Sequence, residues 1–166
     1  MRFDLIVSSA PLSPVQLQSQ LARCNRRTAR WGLELTLPQL QELASHRLAA
    51  LRATGQVEFG EGVLEQLAAA FADSPHLDPA NYQPLLLQLQ GVFYYFRGEA
   101  PEAMSDAELI EIMRRIFNTS AGGSVEYLAE TGLEELCHAL RLGETTDDPI
   151  QRFQEEYHAY LNEADN

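Results

Sequence analysis

Apolar residues recur every three to four positions over most of the chain, with polar residues between them, which is the pattern of amphipathic helices. Strict alternation occurs only at Phe3, Leu5 and Val7 and again around Val57 and Phe59, so the β content is limited to at most one two-strand ribbon joining those stretches. The first predicted helix opens with Ser13 as N-cap and Pro14 in the first turn. It places Leu17, Leu21, Cys24 and Thr28 on its inner side, and Gly32 stops it. The second opens with Thr36 and Gln39 as a capping box and Leu35 against Leu40 as a hydrophobic staple. Leu40, Ala44, Leu48 and Leu51 form its expected buried stripe, and Gly55 its end.

A third helix follows Gly60 and Gly62, with Val63, Leu64, Leu67 and Phe71 inward, and ends before the Asp73, Ser74, Pro75 turn. The fourth runs from Tyr82 to about Arg97, where Pro84 is tolerated in the first turn. Ser105 and Glu108 cap a fifth, with Met104 stapled to Leu109 and an end near Asn118. Further helices are expected from Ser124 to about Thr131, from Leu133 to Leu142, and after Asp148 and Pro149. The fold class is therefore all-α, a compact bundle of six to eight helices in one domain spanning residues 1–166, with 75–81 as the candidate subdivision.

At 166 residues the chain can bury a sizeable core without disulfides or a structural metal. Cys24 and Cys137 are far apart and form no CxxC pair. With no apolar run near the length of a membrane span and no secretory signal, this points to a soluble cytoplasmic protein with reduced thiols. All 12 basic residues are arginine, which removes Schiff-base chemistry, a pyridoxal-phosphate anchor and a Walker A lysine. The net charge of -12 disfavours nucleic acid and anionic membranes as partners. The charge is also asymmetric: residues 1–54 hold seven arginines and three acids, net +4, and residues 55–166 hold five arginines and 21 acids, net -16.

Several stretches carry a family likeness. They are Cys24-Asn25 with Thr28 and Gly32-Leu33; the run from Thr54 to Gly60; Asp73-Ser74-Pro75; Phe93 to Phe96; Asp106 with Glu108 to Ile110; and Gly123-Ser124 with Glu126 to Leu128. Spread over nearly the whole chain, they resemble an uncharacterised bacterial family of small acidic helical proteins, a domain of unknown function. The resemblance implies a single helical domain in a bacterial cytoplasm and brings no activity, cofactor or site residue with it.

The candidate chemistry is sparse. Arg23, Arg26, Arg27 and Arg30 stand at i, i+3, i+4 and i+7, so a helix continuing through Arg30 gathers four guanidiniums on one face beside Trp31. Such a face suits anion or partner binding, or it covers acidic helices of the same chain or of a second copy, the reading that the overall acidity favours. Two Glu-x-x-His pairs, Glu135 with His138 and Glu155 with His158, have the form of di-iron ligands, but their helical phase puts them on polar faces. Cys24 has arginine neighbours that favour a thiolate, yet it lies on an apolar stripe that favours inert packing. Gly60 and Gly62 make an incomplete phosphate loop with Glu58 and Glu61 beside it, so a tight turn presenting Glu58 is the better reading. Of Phe93 to Phe96, the two phenylalanines fit the buried side, which leaves Tyr94 and Tyr95 for a second packing layer or an interface. No nucleophile elbow, HExxH motif or assembled triad is present.

The preferred expectation is a non-enzymatic interaction or regulatory module without metal or cofactor. Its expected partner is an unidentified protein, with a homodimer as one form. The rival is an enzyme or small-ligand binder drawing Glu58, Arg97 and Asp106 around a cleft, and a third reading is a metal protein built on the Glu-x-x-His pairs.

Overall fold

Four helix starts in this chain are set by side chains that satisfy otherwise free amides. The computed structural model describes residues 9–142. Helix α1 (Pro14–Thr28) opens on a reciprocal box in which Ser13 Oγ accepts from Gln16 N–H and the Gln16 side chain accepts from Ser13 N–H. Thr36 and Gln39 repeat this device at α2 (Leu37–Thr54). Then follow α3 (Leu64–Phe71), α4 (Tyr82–Glu99), α5 (Asp106–Asn118), α6 (Val125–Tyr127), a π-helical run (Leu128–Leu133) and α7 (Glu134–Leu142). At α5, Ser105 Oγ accepts from Glu108 N–H while its own hydroxyl donates to the Glu108 carboxylate, a variant of the expected box.

The fold is all-α. Residues up to Gly98 form one compact unit and those from Glu99 a second, a division near the end of α4; the 75–81 turn lies inside the first unit. Among the described residues there is no strand: residues 56–59 are irregular, held by side-chain hydrogen bonds in place of a ladder, so the ribbon is not supported. Its other half, Phe3 to Val7, lies outside the described residues, as does the helix expected after Asp148.

In the first unit α1 packs on α2 and α3, and Leu33, Leu35, Leu40, Leu43, Leu64, Ala68, Tyr82 and Leu86 share one apolar cluster. Two side-chain ties join α1 to the link that leads into α2. The Asn25 amide bonds both the N–H and the carbonyl of Leu35, at 2.8 and 2.9 Å, and Thr28 Oγ1 lies 2.6 Å from the Leu33 carbonyl. The buried stripe of α2 is Leu40, Leu43, Arg47 and Leu51, with Ala44 and Leu48 only half-buried. The helix is thus turned from its expected phase, because Arg47 points inward to a buried carboxylate.

In the second unit the strongly amphipathic α5 buries Leu109, Ile110, Ile112, Met113, Ile116 and Phe117. The helical run after it buries Leu128, Leu133 and Cys137. Gly132 lets the π-helical backbone close on α5: a Cβ there would lie 2.6 Å from Ile116 Cγ2.

Candidate functional site

The main polar constellation of the first unit centres on Glu58, whose side chain is only 9% exposed. The segment that carries it leaves α2 at Gly55 and is tied down at each step. Gln56 Nε2 donates to the Tyr94 carbonyl at 2.6 Å, and Glu58 N–H donates to Ser9 Oγ at 2.7 Å. In this irregular stretch Glu58 points in while its neighbours Val57 and Phe59 are 42% and 70% exposed.

Three donors converge on the carboxylate. Arg47 Nε lies 2.8 Å from Oε1, Tyr94 Oη donates to the same oxygen at 2.6 Å, and Arg97 Nη1 pairs with Oε2. Arg47 Nη2 also reaches the Glu58 carbonyl at 3.3 Å. Burial alone raises the carboxyl pKa, but hydrogen bonds from Tyr94, Arg97 and Arg47 together with the Arg47 charge outweigh it, so Glu58 titrates below its ordinary range. Burial, then the hydrogen bond to Glu58 and its negative charge, pushes the Tyr94 hydroxyl up, so it stays protonated and donating. Gly62 completes the site. With φ at +75°, it brings backbone where a Cβ would meet Glu58 Oε1 at 2.6 Å, Arg47 Nε at 2.7 Å and Tyr94 Oη at 2.9 Å.

Of the residues singled out in the sequence, Glu58, Tyr94 and Arg97 come together. Of the two places left open for Tyr94, a second packing layer or an interface, the fully buried ring takes the inside: the hydroxyl has an acid to bond there, so its polar tip needs no solvent. Tyr95 is 51% exposed and stays outside this cluster, with its ring edge-on to Phe96. Asp106 begins α5 in the second unit. Sequence reasoning missed Arg47, Gln56, Ser9 and the packing role of Gly62. The available signal for Arg47 was its place at i+4 from Leu43 and i-4 from Leu51.

The arginine face is shorter than expected. Helix α1 ends at Thr28, and Arg30 and Trp31 lie on a 3-10 turn, Ala29–Trp31. Arg23 pairs with Glu61 and, at 3.3 Å, with Glu65, which Arg27 also reaches at 3.5 Å. Arg26 and Arg30 face solvent, Arg30 lies over the Trp31 ring at 4.5 Å from its centre, and Trp31 is 40% exposed.

Cys24 is fully buried, and its thiol is pushed up to about 11 by desolvation and the Glu65 charge, against the opposing pull of Arg23 and Arg27. Cys137 is buried as well, and neither cysteine is in a disulfide. Glu135 and His138 are exposed, whereas Glu155 and His158 lie outside the described residues. Among the described residues no group of three His, Cys, Asp or Glu side chains is placed to hold a metal, and no helix is long and apolar enough to cross a membrane.

The fold is an all-α one, and the first unit carries a buried cluster of ion pairs centred on Glu58. The chain belongs to a family of unknown function, DUF6323, whose pattern matches residues 20–146. No curated protein and no solved structure matches it. Residues that carried the family likeness recur in these contacts: Asn25 and Thr28 fix the α1–α2 link, Gln56 and Glu58 anchor the segment after α2, and Tyr94 meets Glu58.

Proposed function

We propose that the protein is a non-enzymatic interaction module of the bacterial cytoplasm that presents the segment around Phe59 to a protein partner. The observation that carries this reading is the opposite fate of adjacent side chains. Both oxygens of Glu58 are engaged by Arg47, Tyr94 and Arg97, which clamps the segment, while Phe59 beside it is left 70% exposed. A large apolar side chain held out by a fixed backbone meets a partner with little ordering cost. The test is affinity capture from the native cell with wild type and Phe59→Ala in parallel. The expected result is a protein retained by wild type and lost with the variant at unchanged melting temperature. Identical retention on both, or retention on neither, refutes the proposal.

A second reading, a small-ligand site at Glu58 and Arg97, draws on their direct pairing and on the 28% exposure of the Arg97 side chain. It requires a small carboxylate such as citrate to raise the melting temperature of wild type but not of Arg97→Gln; equal shifts in both would dismiss it.

A further inference from the structure

Ala44 and Leu48 are apolar residues of α2 that the core leaves half-buried. Together with Leu12 and Leu17, also half-buried, they wall a hollow of about 140 Å³ between the start of α1 and the middle of α2. The hollow lies wholly within the first unit. Its lining also includes the exposed Ser45 and, from the buried side of α2, Arg47.

Arg47 brings unspent hydrogen-bonding capacity to this lining. A guanidinium donates from Nε, Nη1 and Nη2 alike. Nε donates to the Glu58 carboxylate at 2.8 Å and Nη2 to the Glu58 carbonyl at 3.3 Å, whereas Nη1 makes no hydrogen bond among the described residues. The side chain is only 4% exposed, so bulk water solvates it poorly, and a charged acceptor there gains more than it would at the open surface.

We infer that this hollow binds a small monocarboxylate, with a compact apolar body against Leu12, Leu17, Ala44 and Leu48 and the carboxylate at Arg47 Nη1. The size fits, since an apolar cavity of about 150 Å³ admits a benzene ring. The walls fit as well, because small-molecule sites are largely apolar surfaces with a few polar groups that fix orientation. The sign of the charge follows from Arg47, the one charged residue of the lining. A guanidinium that holds one carboxylate through Nε can donate to a second from Nη1, and such a charge-assisted bond is stronger than one to a neutral oxygen. Neither Phe59 nor Arg97 lines the hollow, so the outcome here leaves the capture and citrate experiments to stand or fall alone.

Benzoate, titrated into the full chain, tests the inference by calorimetry and by thermal unfolding. One benzoate per chain is expected to bind wild type with a Kd of about 1 mM. At about 10 mM it should raise the melting temperature by at least about 2 °C over the same concentration of sodium chloride. Benzyl alcohol carries the same ring without the charge and should bind at least about tenfold more weakly. Arg47 also holds Glu58, so the hollow is altered at Ala44 instead. Ala44→Leu fills it and should weaken benzoate binding at least about tenfold, with circular dichroism to check that the helices persist. The comparison of benzoate with benzyl alcohol needs no variant and decides the role of the charge by itself. No benzoate binding to wild type, equal binding of the two probes, or undiminished binding to a folded Ala44→Leu overturns the inference.

Discussion

Glu58 and Arg47 show why the worth of a charged residue depends on its partners. Arg47 is 3% exposed, so deleting the carboxylate leaves a guanidinium buried with its main counter-charge gone. Glu58→Ala and Arg47→Ala are therefore each expected to cost about 3–5 kcal/mol in urea unfolding, well above the roughly 0–1 kcal/mol of a surface pair. The pH dependence follows from the lowered pKa of Glu58. A carboxylate depressed in the folded state lends stability that is fully present above its unfolded value and is lost as pH falls through the folded value. Wild type should thus lose stability below about pH 4.5, and the difference between wild type and Glu58→Gln should shrink over that interval; a difference that stays constant between pH 6 and pH 3 contradicts the assigned ion pairing. At Cys24 the direction is reversed, and a thiol raised to about 11 in a fully buried site should resist alkylation by iodoacetamide at pH 8 until the protein unfolds.

The ends of the helices were legible because capping is local chemistry. Ser13, Thr36, Ser105 and Ser124 each cap the helix whose start they mark, since an N-cap needs only a side-chain oxygen and an amide three residues on. The rotational phase of a helix is not local in this sense. Two stripes can be drawn on α2, one through Ala44 and Leu48 and one through Leu43 and Arg47, and the first looks better because it avoids an arginine. The second is the real one, since Glu58 lies inside to receive Arg47. Leu43→Ala is accordingly expected to cost about 2–5 kcal/mol, and Leu48→Ala clearly less, because only Leu43 is wholly enclosed. Equal costs in thermal or urea unfolding would restore the first stripe. Tyr94 was left open between a second packing layer and an interface for the same reason: a helix carrying four consecutive aromatics does not reveal which of them meets a buried acid.

Across the molecule, charge and composition narrow the chemistry more than they identify it. With a net charge of -12, wild type should pass unretained over immobilised duplex DNA at about 0.15 M salt; retention there would reverse the reading of the α1 arginines. The helical class, most helix boundaries, the lack of lysine chemistry and the inward position of Cys24 follow from periodicity, caps and composition, because each depends on neighbours in sequence. Folding alone decided that Arg47, Glu58, Tyr94 and Arg97 converge, that Gly62 opens room for them, and that Arg23 and Arg27 are paired while Arg26 and Arg30 face water. Those outcomes join residues up to 50 positions apart, from Arg47 to Arg97, and depend on which groups share a low-dielectric interior once the helices have packed.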